Sequence, residues 1–192
     1  MNRPPYLQDV PHLHRSPATG HVALLVCATL LGGCSHVSMR SQTATATLSA
    51  LKAQQVSGKV QFTQTANGVL VEAKISGLAP GRHGFHIHDR GNCMGDGTAA
   101  GPHFNPRSAQ HGAPTDPQRH AGDLGNLDAD ANGMATYKAE VSGLTVEPGP
   151  NSIIGRSVIV HENADDLTSQ PAGNAGARQA CGLISKSPSK WF

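Results

Sequence analysis

The chain has 192 residues, enough for one domain of ordinary size preceded by an N-terminal segment. Charged residues make up 15% and aromatic residues 4%, while glycine and proline number 22 and 13, a composition that favours short strands and turns over long helices. The net charge of +2 excludes a general attraction to nucleic acid. Histidine is the unusual residue, with eleven copies.

The N-terminal segment has the features of an export signal. The apolar run VALLVCATLL, 22–31, is too short to span a bilayer, which takes about 20 apolar residues, but it suits the core of a signal peptide. LGGC, 31–34, resembles a bacterial lipobox, in which cleavage exposes a cysteine that carries lipid. We expect a signal peptide at 1–33, a lipidated Cys34 and a linker at 34–42. The alternative is an ordinary signal peptide with an incidental cysteine.

These features predict a periplasmic protein that meets a membrane only through its lipid anchor. The outer membrane is the expected location, since Ser35 is not the aspartate that usually signals retention at the inner membrane.

The rest of the chain shows strand patterns. TATATLSAL, 43–51, predicts an opening strand. Two hairpins are predicted, one in 59–78 with its turn at Asn67-Gly68 and one in 127–141 with its turn at Asn132-Gly133, because Asn and Gly tolerate positive φ. SIIGRSVIVH, 152–161, and ACGLIS, 180–185, predict further strands.

No helical pattern of useful length interrupts these strands. We therefore expect an all-β domain over 43–186, an antiparallel Greek-key sandwich or barrel of about eight strands, with a tail at 187–192. Two stretches lack strand character, 89–126 and 162–179. Loops of this length in a compact domain usually carry function or a metal.

Histidines gather around the first of these loops. GFHIHDRGNC, 84–93, places His86 and His88 on one face of a strand, about 6.6 Å apart, where both imidazoles can reach one ion. Alone, such a pair is more often a half-exposed strand feature. Five further residues strengthen the metal interpretation: His103, His111, His120, Asp123 and His161.

Two cysteines remain after cleavage and lipidation, Cys93 and Cys181. An even pair in an exported domain predicts a disulfide, and one that closes so long a loop stabilises by about 4 kcal/mol on the chain-entropy model. A pair of reduced, buried thiols is the alternative.

Five motifs resemble the copper/zinc superoxide dismutase family in order and spacing over about residues 57–184. They are LAPGRHGFHIHDRGNC, GPHFNP, RHAGDLGN, IIGRSVIVHENADDL and GNAGARQACGLI. The resemblance implies copper ligands at His86, His88, His103 and His161. It implies zinc ligands at His103, His111, His120 and Asp123, with His103 shared.

The activity that the resemblance implies is dismutation of superoxide, the expected partner molecule. One superoxide reduces Cu(II) and leaves as oxygen, a second oxidises Cu(I) and leaves as hydrogen peroxide, and His103 carries a proton, while zinc is structural. The alternative function is a non-catalytic copper/zinc-binding protein of the same fold. A monomer and a homodimer are both compatible with the sequence.

Two further residues match the family motifs. Asp165 matches a carboxylate that links a copper ligand to a zinc ligand, and its alternative is a solvated loop acid. Arg178 matches an arginine beside the copper channel, and its alternative is a surface arginine that anchors the loop. Residues 162–177 lack the lysines of animal members, and Ala172 stands where a threonine is usual. His83 is expected to be a structural, hydrogen-bonded histidine, since its position places it on the other strand face.

Overall fold

The computed structural model describes residues 42–52 and 54–187. The predicted signal peptide at 1–33, Cys34, and nearly all of the linker and of the C-terminal tail lie outside the described residues. Within the described part of the chain, no helix is long and apolar enough to cross a membrane.

Nine strands account for the regular structure of residues 42–52 and 54–187, apart from one 3-10 turn at Thr98–Ala100. They are β1 (Thr43–Ala50), β2 (Ser57–Gln64), β3 (Val69–Ser76), β4 (Gly81–His88), β5 (Asp123–Ala129), β6 (Ala135–Val141), β7 (Ser157–His161), β8 (Arg178–Leu183) and β9 (Ser185–Lys186).

Eight of these strands close into an antiparallel barrel. Their order is β2-β3-β6-β5-β4-β7-β8-β1, and β1 also pairs with β2, while the short β9 pairs with β1. The chain crosses from β3 to β4 and back from β6 to β7, so β3 pairs with β6 and β4 with β7. The predicted all-β Greek-key class is confirmed.

Alternating apolar side chains fill the barrel. On β3, for example, Val69, Val71, Ala73 and Ile75 are buried while the residues between them are not. Phe62, Phe85 and Phe104 are the largest fully buried side chains, and the rings of Phe85 and Tyr137 meet edge to face with centroids 5.3 Å apart. The barrel is therefore a packed core that holds the strand ends in fixed positions.

Both predicted hairpins form, but with longer loops than the Asn-Gly signals indicate. Gln64 pairs with Val69, so four residues connect β2 to β3, and Ala129 pairs with Ala135, so five connect β5 to β6. Side chains close these loops: the Thr65 hydroxyl accepts from the backbone of Gly68 at 3.1 Å, and Asp130 Oδ1 accepts from Met134 N–H at 2.9 Å. A two-residue turn is thus replaced by loops that a hydroxyl and a carboxylate stabilise.

The strand predicted at 152–161 begins only at Ser157. The residues before it form a turn in which Arg156 Nε donates to the carbonyl of Ser152 at 2.7 Å, and Gly155 takes a φ of 79°. The two long loops are slightly shorter than expected, because β5 starts at Asp123 and β8 at Arg178. They span 89–122 and 162–177.

Candidate metal centre

The predicted ligands come from strand ends and from the long loop that follows β4. His86 and His88 lie on β4, His161 is the last residue of β7, and Asp123 is the first of β5. Strand register shifts between Gly84 and His86 and between Val160 and His161. Such bulges redirect side chains, so both strands turn a histidine toward the same space.

Four histidines converge on one point, and we call them the copper set: His86, His88, His103 and His161. One ring nitrogen from each lies within 4.8 Å of the others, and all four residues are buried. The Nε2 atoms of His88 and His161 are 3.3 Å apart. Four converging imidazole nitrogens suit copper.

Hydrogen bonds fix the tautomers of this set. The Nδ1–H of His88 donates to the Gly101 carbonyl at 2.8 Å, which leaves Nε2 unprotonated toward the centre. His86 donates in the opposite sense, from Nε2 to Asp165 at 2.8 Å, and its Nδ1 is buried without a partner. An unpartnered buried nitrogen aimed at three others is costly unless it binds a cation.

Burial also keeps the copper set uncharged. It lowers the pKa of His88 and of His161 well below 6.5, with neighbouring imidazoles acting in the same direction. Burial likewise lowers the pKa of His86, and that of His103 to about 4. Neutral imidazoles at neutral pH are the protonation state that a metal ion requires.

Three histidines and one carboxylate form a second group, which we call the zinc set: His103, His111, His120 and Asp123. The Nδ1 atoms of the three histidines lie 2.8, 3.1 and 3.2 Å from Asp123 Oδ1. Ligand atoms in a tetrahedron around zinc lie about 3.3 Å apart, so these four atoms fit that ion closely.

Asp123 is held in place by its second oxygen. Its Oδ2 accepts from the backbone N–H of Gly112 at 3.1 Å and of His120 at 3.0 Å. Burial alone would raise the pKa of this carboxyl, but hydrogen bonds from the three histidines of the zinc set outweigh that effect and hold it far below the usual range. The carboxylate is therefore ionised, as a zinc ligand must be.

His103 belongs to both sets. Its Nδ1 faces Asp123 at 2.8 Å, and its Nε2 is buried with no hydrogen-bond partner on the copper side. Each ring nitrogen therefore points into a different ligand group, which is the arrangement that a shared imidazole needs.

Asp165 links the two sets from behind. Its Oδ2 accepts from His86 Nε2 at 2.8 Å and its Oδ1 from His111 Nε2 at 2.9 Å, and the residue is almost fully buried. Gly173, with a φ of 65°, packs so tightly here that a Cβ would collide with the Asp165 carboxylate and with His111. Only glycine fits that position.

Two residues that sequence reasoning missed support this bridge. Asn126 donates to the Asp165 carbonyl at 3.0 Å and accepts from its N–H at 2.7 Å. Gln170 exchanges two hydrogen bonds with the backbone of His111, both 2.9 Å long. Asn126 lies within the quoted motif RHAGDLGN, whereas Gln170 lies between two of the quoted motifs, and nothing in either residue type distinguishes it from an ordinary polar residue.

Arg178 lies at the rim of a cavity of about 560 Å³ that reaches three of the copper set and that we call the copper channel. Its guanidinium donates to the carbonyl of Gly97, and to that of Gly101 at 2.7 Å. Burial lowers its pKa from the usual value, although an arginine stays cationic at neutral pH. The lining of the channel therefore includes a fixed positive charge.

Cys93 and Cys181 are joined by a disulfide, with Cα atoms 5.7 Å apart, so this prediction is confirmed. It ties the first long loop to β8. His83 is buried as expected, with ring nitrogens 2.9 Å from the His161 carbonyl and 2.8 Å from that of Ala79. It supports the backbone of a predicted ligand without entering either set.

Several known proteins are similar to this chain. The family described as copper/zinc superoxide dismutase matches residues 56–184. "Superoxide dismutase [Cu-Zn] 2" of Mesembryanthemum crystallinum is 47% identical over 136 residues, which cover 67% of this chain and 86% of that protein. "Extracellular superoxide dismutase [Cu-Zn]" of Brugia pahangi is 45% identical over 139 residues, covering 67% of this chain and 69% of that protein.

A solved structure agrees. The crystal structure of the clock protein EA4 superimposes with a TM-score of 0.70 at 40% sequence identity, covering 76% of this chain and 94% of that one. A match over two-thirds of the chain by sequence, together with the barrel and two adjoining ligand sets, leads to one conclusion: this chain belongs to the copper/zinc superoxide dismutase family.

Proposed function

We propose that this protein converts superoxide to oxygen and hydrogen peroxide at copper held by the copper set, next to structural zinc held by the zinc set. The observation that carries the proposal is the position of His103, whose two ring nitrogens face the two sets. Zinc surrounded by four protein ligands has no open position, whereas the copper set opens onto the channel.

Copper, when bound, supplies the reversible one-electron exchange that allows one superoxide to be oxidised and another to be reduced. The protein supplies the rest. The Arg178 guanidinium, fixed by two carbonyls, attracts a small anion and can hydrogen-bond it within the channel. His86 and His111 are kept in their orientation by Asp165.

Reduction of superoxide to hydrogen peroxide consumes protons, and His103 Nε2 is the site proposed to carry one of them. Burial lowers the pKa of His103 to about 4, so the metal-free ring is neutral at neutral pH, and because Nδ1–H donates to Asp123, Nε2 is the unprotonated nitrogen that can take up a proton. His103 also borders the channel, which puts the proton beside the reacting anion.

The test is superoxide consumption with copper and zinc quantified in the same sample. Protein loaded with zinc alone should be inactive, and activity should rise in proportion to copper occupancy. Fully loaded protein that consumes superoxide no faster than buffer would favour the alternative, a non-catalytic copper/zinc-binding protein. Light scattering on the same sample decides between the monomer and the homodimer that the sequence allows.

We further propose that the protein is exported and anchored by lipid on Cys34, in the periplasm at the outer membrane. Support comes from the apolar run at 22–31, the LGGC sequence that follows it, and the extracellular name of the Brugia pahangi relative. Mass spectrometry of the native N-terminus should show lipid on Cys34, and Cys34→Ser should release the protein from membranes. A mature N-terminus elsewhere would overturn the anchor.

A further inference from the structure

A second, smaller cavity opens beside the copper channel. It measures about 180 Å³ and shares Thr98, Gly176 and Arg178 with the channel, and Lys52 and Asp96 also line it. We call it the side recess. Because the two cavities have Arg178 in common, a charge in the side recess acts on an anion that approaches Arg178.

Lys52 is positioned beside the side recess by the packing of the preceding residue, Leu51. Leu51 is buried, and its N–H donates to the Gln179 carbonyl at 2.8 Å, which joins the chain just after β1 to β8 next to Arg178. The Leu51 side chain also packs against Gly97, the residue whose carbonyl holds the Arg178 guanidinium. Lys52 therefore sits on a fixed base beside the channel.

The backbone at Lys52 points to a role for the side chain. Its φ is 55°, in the left-handed region that glycine adopts freely and that costs a lysine about 1 kcal/mol. A glycine would relieve this strain but would remove the only charge of this turn. Strained backbone conformations occur often at functional sites, so the strain at Lys52 indicates that its side chain has a function.

The charges around the channel make a second cation useful. The loop 162–177 carries Glu162, Asp165 and Asp166 and no basic residue. Among the described residues that line the channel and the side recess, Lys52 and Arg178 are the lysines and arginines. The Arg178 guanidinium donates hydrogen bonds to two carbonyls, whereas the Lys52 side chain is 65% exposed.

Asp96 opposes Lys52. Its Oδ2 lies 3.5 Å from Lys52 Nζ in an exposed pair, which in general contributes little stability. Hydrogen bonds from Thr98 lower the Asp96 pKa to about 2, so the carboxylate is charged at any working pH. An approaching anion is attracted by Lys52 and repelled by Asp96.

We infer that Lys52 is a second positive charge that draws superoxide toward the copper channel, and that Asp96 weakens this attraction. The inference rests on the proposed function. Lys52 acts as a steering residue and does not touch the reacting atoms.

The experiment compares Lys52→Gln with Lys74→Gln, which removes the same charge from an exposed groove on β3. One unit charge about 10 Å from the anion changes its encounter rate about twofold at low salt and much less near 0.15 M. With copper fully loaded, kcat/KM at low ionic strength should fall about twofold in Lys52→Gln and about fourfold in Lys52→Glu. It should rise in Asp96→Asn and stay unchanged in Lys74→Gln.

A second readout separates steering from turnover. Azide, a small anion, is titrated against the Cu(II) form and followed by absorption. Its dissociation constant should rise about twofold in Lys52→Gln at low salt, with no change in Lys74→Gln. Equal rates and equal azide affinities in the two lysine variants would overturn the role of Lys52. If wild-type protein were inactive but the azide difference remained, the proposed function would fail while the charge effect stood.

Discussion

Asp165→Ala is the change that most directly probes how the two ligand sets depend on each other. The carboxylate accepts hydrogen bonds from His86 at 2.8 Å and from His111 at 2.9 Å, inside a region closed to water. Alanine removes both acceptors and leaves two buried N–H groups without partners. Each ring can then rotate or change tautomer, which takes a lone pair away from its ligand set.

The size of the effect follows from these two contacts. A hydrogen bond to a charged group stabilises by about 1.5–3 kcal/mol. The variant no longer has to bury a charged carboxylate, which offsets part of this loss. We therefore expect the free energy of unfolding of the metal-free protein to fall by about 2–4 kcal/mol, which lowers Tm by about 5–15 °C for a domain of this size. Removing such an outer partner typically lowers metal affinity about 10–100-fold, here for copper and for zinc alike.

Calorimetry of the metal-free protein gives the first quantity, and competition with a chelator gives each metal affinity. Asp166→Ala is the control, because it removes the same charge from the adjacent position. Asp166 accepts from the backbone of Thr168 and Ser169 rather than from a histidine. If Asp165→Ala and Asp166→Ala bound both metals equally well, the linking role of Asp165 would be wrong.

Three further predictions test other parts of the site. His103→Ala should disturb copper and zinc together while His120→Ala mainly releases zinc, as metal analysis and Cu(II) spectra would show; loss of copper alone from His103→Ala would contradict a shared imidazole. Cys93→Ser should lower the unfolding free energy by about 4 kcal/mol with metal spectra largely recoverable, and a Tm equal to the wild type would argue against it. Burial lowers the pKa of every copper-set histidine, so protonation of these rings favours the unfolded state. Their contribution to the free energy of unfolding of the metal-free protein is therefore complete above about pH 6.5 and is lost as the pH falls toward their pKa values in the folded state. Its Tm should drop by about 5–10 °C between pH 6.5 and 4.5 in calorimetry, and a flat profile would refute the assignment. His111 does not change the stability in this pH range. Burial acts to lower its pKa, but hydrogen bonds to Asp123 and Asp165 raise the pKa to about 9, so its contribution to stability is lost only as the pH rises above 6.5.

The strands were predictable because alternation is a local property. The alternating pattern of β3 is visible in its sequence and appears unchanged in its burial. Turn lengths were less predictable, since the loops after β2 and β5 are set by Thr65 and Asp130 as well as by the Asn-Gly pairs. The pair His86 and His88 could be recognised as a same-face pair, but not as a metal site by itself.

What the sequence by itself determined is therefore the class of the fold, the disulfide partners and, through five motifs, the family. Each of these depends on residue types at short separations or on the count of two cysteines. The motifs also indicated which histidines to expect in each ligand set.

Only the tertiary structure decided how these residues meet. Barrel closure brings β1 beside β8, and Lys52 thereby reaches the rim that Arg178 occupies. The pairing of β4 with β7 brings the histidines of the two strands into one region, where the Nε2 atoms of His88 and His161 lie 3.3 Å apart. Buried hydrogen bonds choose which nitrogen of His86 and of His88 faces the centre. The physical reason is that the distances between side chains, their burial and the tautomers of the histidines depend on how the whole chain packs. The sequence pattern of a single strand determines none of them.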